Sequence, residues 1–138
     1  MLHHPMLNDS VRRAEIGLCV LLAAADGDVS EQEIGALSSR VGRLVGDEFP
    51  VIAIGMIVEG EITKMSELGP ERYITTLVDR LPEPRRAPAL RGALVVAASD
   101  GLAPEEESMF HDVAVELGIA KLDAERMLAE VRSGTPSA

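Results

Sequence analysis

A short stretch at residues 24–33, AADGDVSEQE, decides the fold of this chain. It follows an apolar run, GLCVLLAA at residues 17–24, which is typical of a helix packed inside a protein. Asp26 therefore stands where this helix is expected to end, although a helix C-terminus carries partial negative charge and favours cations. The acidic residues that follow are Asp28, Glu31 and Glu33. The stretch predicts a helix end, a turn and the start of an acidic second helix.

A second copy of the pattern occurs at residues 97–107, AASDGLAPEEE. When Asp26 is aligned with Asp100, the two copies match without a gap. The identical pairs are Ala23 and Ala97, Ala24 and Ala98, Asp26 and Asp100, Gly27 and Gly101, Glu31 and Glu105, and Glu33 and Glu107. Ser30 is matched by Pro104, and both residue types favour the start of a helix. The alignment predicts that one helix–loop–helix unit is duplicated within the chain.

The composition favours helices over sheets. The chain has 138 residues, which is enough for one domain with a sizeable core. Hydrophobic residues make up 46% of the chain and aromatic residues only 2%, so aliphatic side chains and methionine must form that core. Sheets are enriched in aromatic and β-branched residues, and helices are not. Because 26% of the residues are charged and the apolar positions are periodic, general disorder is excluded.

Apolar periodicity and capping signals predict the first three helices. The first is expected to run from about Asn8–Ser10 to Ala25. Ser30 opens the second helix, because Ser30 and Glu33 have the spacing of a capping box. The segment FPVIAIGMIVEGEITKM, residues 49–65, has an apolar density that suits a buried strand or a buried helix. We expect a helix, because nothing else in the chain is typical of a strand with which it would pair.

Prolines and glycines mark the middle of the chain. Gly69-Pro70 starts the fourth helix, with proline at the first helical position. The segment LPEPRRAP, residues 81–88, is either a break or the irregular start of the fifth helix. That fifth helix is expected to end at Asp100-Gly101.

The last two helices are predicted from their caps. The sixth begins near Pro104, and Gly118 is expected to end it in a left-handed conformation. Its inward positions are Phe110, Val113 and Leu117. Asp123 is expected to cap the seventh helix, with Leu122 and Met127 at the spacing of a hydrophobic staple.

About seven helices joined by short loops predict an all-α fold, a single compact bundle with an internal duplication. We expect a flexible N-terminus at residues 1–8, the helical domain at residues 9–133 and a flexible tail at residues 134–138. His3 and His4 fall in that N-terminus. No run of residues approaches the ~18 apolar residues of a membrane span, so we expect no membrane insertion. No basic segment precedes an apolar one at the start of the chain, which argues against a signal peptide.

The net charge limits the classes of partner. The formal net charge is −10, which argues against nucleic acid because phosphate binding requires clustered Lys and Arg. It remains compatible with cations, with basic proteins and with simple solubility. The single cysteine, Cys19, lies in an apolar run and is expected to be a small buried hydrophobe. A reducing cytoplasm is the expected setting.

Two interpretations of the duplicated Asp-Gly turns remain open. In the structural one, Gly27 and Gly101 end the preceding helices, and the glutamates that follow favour the positive ends of the next ones. That interpretation leaves Asp26 and Asp100 at unfavourable helix ends, unless they bond to amides of the turn. In the other, the acidic residues hold a divalent cation, Ca²⁺ or Mg²⁺, because carboxylate oxygens are the ligands that these ions require.

An EF-hand is excluded in both copies. With Gly27 at position 6 of an EF-hand loop, positions 1 and 3 are Leu22 and Ala24, which supply no oxygen ligand. The equivalent residues in the second copy are Val96 and Ala98. One copy cannot fill six to eight coordination positions. A tightly bound ion would therefore be shared by the two copies, or water would complete its coordination.

The two segments AAADGDVSEQEIGAL, residues 23–37, and VAASDGLAPEEESMF, residues 96–110, resemble the duplicated signature of the TerB-like family, named for the tellurite-resistance protein TerB. The resemblance spans roughly residues 9–120. It implies a bundle of about seven helices, bacterial and cytoplasmic, associated with tellurite and other stress responses. It also implies that acidic residues bind divalent cations such as Ca²⁺.

The resemblance also identifies candidate ligands by position. The metal ligands it implies are Asp26, Glu33, Asp100 and Glu107 first, and then Asp28, Glu31, Glu105 and Glu106. The copies differ at one of these positions, because Asp28 is matched by Leu102. A symmetric pair of sites is therefore not expected.

Nothing in the sequence indicates catalysis. The third histidine, His111, follows Phe110 on a helix, where we expect a surface or core-edge residue. There is no Gly-rich phosphate loop and no Cys/His zinc spacing. We therefore expect a non-catalytic, divalent-cation-binding module associated with a stress response.

Two alternative functions remain open. In the main alternative, the chain is a structural interaction module whose acidic patch docks a basic protein partner without metal. In the other, the apolar segment at residues 49–58 forms a partner surface. The sequence does not set the oligomeric state.

Overall fold

The computed structural model describes residues 5–25, 31–45, 51–98 and 101–133. Within these ranges every regular element is an α-helix. The helices are α1 (Pro5–Ala23), α2 (Glu31–Val45), α3 (Val51–Leu68), α4 (Pro70–Arg80), α5 (Glu83–Ala98), α6 (Pro104–Glu116) and α7 (Lys121–Ser133). The expected all-α bundle of about seven helices is confirmed.

Helix α1 forms the centre of the core. It packs against α2, α3, α4, α5 and α6, and its most extensive contact is with α5. Every residue from Ala14 to Leu22 is buried. A helix with neighbours on all sides has no solvent face, and this is why residues 17–24 contain no polar position.

Helix α3 settles the choice between helix and strand in favour of the helix. It runs from Val51 to Leu68, with Ile54 and Val58 buried and Met56 72% exposed. The apolar side chains therefore extend around α3 beyond its buried face. The sequence of α3 therefore lacks the amphipathic pattern that would have identified it as a helix.

The corner between α4 and α5 explains the segment LPEPRRAP. Helix α5 begins at Glu83, so the prolines after that residue lie inside its irregular first turns rather than in a break. Arg86 stabilises the corner: its Nε donates to the carbonyl of Leu81 at 2.9 Å and its Nη2 to that of Val78 at 3.3 Å. The carbonyl of Val78 also accepts from the amide of Leu81 at 3.2 Å. The guanidinium therefore adds a side-chain donor at the end of α4, where a helix runs out of backbone amides.

The end of α6 matches its prediction. The three predicted inward residues, Phe110, Val113 and Leu117, are buried. Gly118 follows with a φ of 76°, in the left-handed region that glycine adopts without steric cost. Gly118 therefore ends the helix as predicted.

The predicted start of α7 is wrong. The helix begins at Lys121, and the amide of Ala124 already donates to the carbonyl of Ala120. Asp123 therefore lies in the first turn and is not the N-cap. Leu122 is 68% exposed, so it forms no hydrophobic staple with the buried Met127. The earlier start places Ala124 and Met127 on the buried face of the helix.

The N-terminal helix also begins earlier than predicted, at Pro5 rather than near Asn8–Ser10. His3, His4, Gly27 and Ser30 lie outside the described residues, so the capping box of α2 stays a prediction, as do the domain boundaries. Among the described helices, none combines the length and the apolar character needed to cross a bilayer.

Candidate functional site

Most of the predicted metal ligands lie outside the part of the chain that the structure describes. Asp26, Asp28 and Asp100 are outside the described residues, and so are the side chains of Glu31 and Glu33. The second copy contributes the described candidates, which are Glu105, Glu106 and Glu107 at the start of α6.

These three glutamates have different surroundings. Glu105 is exposed to solvent. Glu106 Oε1 accepts a 2.8 Å hydrogen bond from the amide of Ala103, which precedes the helix, so this carboxylate satisfies the helix start. Glu107 is partly exposed, and its Oε1 accepts a hydrogen bond from Nη2 of Arg132 on α7. Of the three, Glu106 fits the structural interpretation, and Glu107 is the carboxylate held by an ion pair to α7.

The turn before α6 has the predicted glycine geometry. Gly101 has a φ of 91°, and its amide donates to the carbonyl of Ala98 at the end of α5 at 3.0 Å. A side chain at this position would be strained, which explains why glycine follows Asp100. The structural interpretation of Gly101 is therefore correct, and it leaves the role of Asp100 open.

An ion pair between a buried glutamate and an exposed arginine holds α5 beside α1. Glu15, in the middle of α1, is only 6% exposed. One of its oxygens accepts from Arg12 at 2.8 Å, and the other accepts from Nη2 of Arg85 at 2.6 Å. Because Arg85 lies in the first turn of α5, the start of α5 lies beside the middle of α1.

The burial pattern gives the relative direction of the two helices. Beyond the ion pair, α1 is buried from Ile16 to Leu22, and α5 has its buried positions between Ala89 and Ala97. If α5 ran antiparallel to α1, its buried positions would lie beside residues 10–13, which are half-buried or exposed. We infer that α1 and α5 run in the same direction. Their C-terminal residues, Ala23 and Ala98, therefore lie at the same end of the bundle.

A second buried carboxylate lies on α3. Glu61 on α3 is 2% exposed. Its Oε1 accepts from the hydroxyl of Tyr73 at 2.7 Å and from Nη1 of Arg80 at 3.4 Å, and its Oε2 accepts from Nζ of Lys64 at 3.2 Å. Burial and the hydrogen bond to Glu61 raise the pKa of Tyr73. Hydrogen bonds and two cations therefore compensate for the desolvation of this carboxylate.

The close approach of α4 to α1 depends on Gly17. A Cβ atom at this position would lie 2.5 Å from the hydroxyl oxygen of Tyr73 and 2.6 Å from Cδ2 of Leu77. The sequence analysis did not identify this buried network. Two features of the sequence belong to this network. One is Glu61 with Lys64 three residues later in a largely apolar segment, and the other is Gly17 inside the apolar run of α1.

Cys19 is an inert thiol in this fold. Its side chain is 1% exposed, and burial raises its pKa to about 12. A thiolate is the nucleophilic form, so a thiol that keeps its proton at neutral pH does not react. Within the described ranges, no group of three or more His, Cys, Asp or Glu residues has the arrangement of a metal site. The candidate cation site therefore depends on Glu107 together with acidic residues whose side chains the structure does not describe.

Comparison with known proteins gives one finding. The family model of the tellurite resistance protein TerB matches residues 12–129, a range that includes both copies of the Asp-Gly pattern. No match was found among curated proteins or among solved structures.

Proposed function

Because this chain belongs to the TerB family, we propose that it is a non-catalytic helical module that binds one divalent cation, Ca²⁺ or Mg²⁺, between its two Asp-Gly turns. The proposed ligands are Asp26, Asp28, Glu31, Glu33, Asp100 and Glu107. All of them are carboxylates, which are hard oxygen donors suited to these ions. As part of the same proposal, the module acts in the cytoplasm, in the tellurite and stress responses associated with its family.

The inferred shared direction of α1 and α5, which follows from the ion pair of Glu15 with Arg85 and the burial of both helices, supports one site rather than two. Helix α1 leads into the first Asp-Gly turn, and α5 leads into the second. Since Ala23 and Ala98 lie at the same end of the bundle, each copy adds negative charge to that end. One copy has too few oxygen ligands for a tightly held ion, whereas two copies together have enough.

The pairing of Glu107 with Arg132 is consistent with this proposal. In the described structure a cation, the guanidinium, already faces this carboxylate. The pair is half-exposed, so its strength is modest and a divalent ion can displace the guanidinium. A bound ion would therefore have to compete with Arg132 for Glu107. Among the described residues, no other cation pairs with this carboxylate.

The experiment is a thermal unfolding series with added salts of Ca²⁺, Mg²⁺ and Mn²⁺. A ligand that binds only the folded state stabilises it by about 2.7 kcal/mol at a concentration of 100 Kd, so the melting temperature rises. The variants Asp26→Asn and Asp100→Asn should each reduce that rise. Asp79→Asn is the matched control, because Asp79 is an exposed aspartate on α4 and is not among the proposed ligands.

The result that would contradict the proposal is equally direct. If millimolar Ca²⁺, Mg²⁺ and Mn²⁺ all leave the melting temperature unchanged, the paired turns hold no divalent cation. The acidic residues would then serve the helix termini, or would dock a basic partner without metal.

A further inference from the structure

A groove of ≈ 580 Å³ lies between α4 and α6. It is lined by Pro70, Glu71, Ile74 and Thr75 of α4 and by Met109, Asp112, Val115 and Glu116 of α6. None of these residues is a proposed cation ligand, so the groove is a separate feature of the molecule. We refer to it as the α4–α6 groove.

The lining of the α4–α6 groove combines apolar and acidic side chains. Its apolar part is formed by Ile74, which is buried, by Met109, which is half-buried, and by Val115, which is 71% exposed. Its acidic part is formed by three exposed carboxylates, Glu71, Asp112 and Glu116. No lysine or arginine lines the groove.

The three carboxylates of the groove differ from the acidic residues that support the fold. Among the described residues, Glu15, Glu61, Glu107 and Glu130 each form an ion pair with an arginine or a lysine. Glu71, Asp112 and Glu116 form no ion pair with any described residue. Glu71 lies in the first turn of α4, where its charge favours the helix terminus, but no described cation pairs with any of the three. Their carboxylates are therefore available to a cation of a partner.

We propose that the α4–α6 groove docks a Lys- or Arg-bearing segment of a partner protein. The segment lays an apolar side chain against Val115 and Met109, and its cations pair with the carboxylates of the groove. Asp112 and Glu116 are one helical turn apart on α6, with Cβ atoms about 5–6 Å apart. Glu71 lies on the opposite wall. The fitting segment therefore carries cations on both sides of an apolar residue.

Charge selects this occupant over the two alternatives. A second copy of the chain carries a net charge of −10, so self-association through an acidic groove is opposed by repulsion. A single metal ion fills only a small part of ≈ 580 Å³ and leaves the exposed face of Val115 in water. A basic, partly apolar segment satisfies both kinds of lining.

The experiment uses a synthetic amphipathic peptide of about 15 residues, built from Leu and Lys and labelled with fluorescein, as the probe. A peptide with Glu in place of Lys is its control. Binding to the full chain is followed by fluorescence anisotropy at low and at physiological salt. We expect binding of the Lys peptide alone, weakening as the salt concentration rises because exposed charges are screened.

Two sets of variants locate the binding. The groove variant carries Glu71→Gln, Asp112→Asn and Glu116→Gln. The control variant carries Glu67→Gln, Asp79→Asn and Glu125→Gln, which change the net charge equally at exposed positions outside the groove. Loss of three exposed ion pairs should weaken binding about tenfold in the groove variant, and less than about twofold in the control.

The apolar contact has its own pair of variants. Val115→Ser should weaken binding of the Lys peptide, whereas Leu122→Ser should not, because Leu122 is 68% exposed and does not line the groove. Amide chemical shifts of the ¹⁵N-labelled chain should change mainly at residues 71–75 and 109–116 when the Lys peptide is added.

Several results would overturn the proposal. Equal weakening in the two charge variants would assign the binding to bulk charge, and absence of binding would remove the site. If the amide shifts at the groove change with protein concentration in the absence of peptide, the groove binds a second copy of the chain instead. Shift changes there on addition of Ca²⁺ alone would assign its carboxylates to a metal ion.

Discussion

The hydroxyl of Tyr73 donates a 2.7 Å hydrogen bond to Oε1 of Glu61, and both side chains are buried. The pair joins α3 to α4, and Gly17 of α1 lies directly against it. A buried carboxylate is stable only when its charge and its lone pairs are satisfied. The packing of three helices therefore depends on this one hydrogen bond and on the absence of a side chain at Gly17.

The first prediction concerns Gly17→Ala. The added Cβ would lie 2.5 Å from the hydroxyl oxygen of Tyr73, so α4 or the Tyr73 ring must move. We expect a loss of about 1–3 kcal/mol in the free energy of unfolding, which is typical of overpacked cores. Urea denaturation measures it.

The matched control for that substitution is Gly60→Ala. Gly60 lies within α3, and no atom lies within 4 Å of a Cβ built at this position. The control should be neutral or stabilising by up to about 1 kcal/mol, because alanine favours helix more than glycine does. If the two variants are equally stable, Gly17 is not a packing constraint.

The second prediction concerns Tyr73→Phe, which removes the hydroxyl and keeps the ring. Glu61 retains Lys64 and Arg80 but loses its shortest hydrogen bond. We expect a destabilisation of about 1–3 kcal/mol by urea denaturation, since the bond is buried and its acceptor is charged. Thr63→Val, which removes an exposed hydroxyl, is the control and should cost less than about 0.5 kcal/mol. Equal effects would show that the hydroxyl of Tyr73 contributes nothing specific.

The third prediction concerns stability at alkaline pH. Burial raises the pKa of Cys19 from 9.0 to about 12 in the folded chain. Between these values the unfolded chain loses the thiol proton and the folded chain keeps it. The contribution of the Cys19 thiol to the free energy of unfolding is therefore fully present below pH 9. It is lost as the pH rises towards about 12, at up to about 1.4 kcal/mol per pH unit. The raised pKa of Tyr73 acts in the same direction at higher pH.

The measurement is the free energy of unfolding between pH 8 and pH 11 for the wild type and for Cys19→Ala. The variant removes one titrating group, so its stability should fall less steeply with pH, whatever its stability at pH 8. Parallel curves for the two proteins would show that the thiol ionises equally easily in the folded and unfolded chains.

The fourth prediction concerns the direction of α5 relative to α1. In a Cys19→Ala background, nitroxide labels are placed at Ala24 and Ala98 in one sample and at Arg13 and Ala98 in another. Packed helices lie 8–10 Å apart, and the rise from residue 13 to residue 24 is about 16 Å. Pulsed electron spin resonance should give the shorter distance for the pair at Ala24 and Ala98. The reverse order would mean that the helices are antiparallel and that the two Asp-Gly segments leave from opposite ends.

Local signals were sufficient to predict the starts of α4 and α6 and the ends of α5 and α6. Gly101 and Gly118 adopt positive φ values as their positions after apolar runs predicted. Pro70 and Pro104 stand at the first residues of α4 and α6. These features depend on backbone sterics within a few residues, and such sterics are visible in a single sequence.

The features that the sequence analysis missed depend on residues distant in the chain. Glu61 is buried because Tyr73 and Arg80, on another helix, satisfy it. Its local pattern, a lysine three residues later in an apolar segment, does not identify these partners. The start of α7 was misplaced because Asp123 and Leu122 have a capping pattern. The contact of α7 with α5 and α6 instead selects an earlier start that buries Ala124.

The candidate site was predicted only in part. The duplication identified the acidic positions, and the structure confirms the helix end at Gly101 and places Glu107 beside Arg132. Coordination of Asp26 and Asp100 to one ion depends on the tertiary arrangement of two segments far apart in sequence. Helical periodicity carries no information about that arrangement.

Calorimetric titration of Ca²⁺ into the wild type, Asp26→Asn, Asp100→Asn and the control Asp79→Asn tests the central claim most directly. A single ion shared by two Asp-Gly turns predicts one Ca²⁺ per chain, at least about tenfold weaker binding in each of the first two variants, and unchanged binding in the control. Two independent ions per chain, or wild-type affinity in either Asp26→Asn or Asp100→Asn, would contradict it.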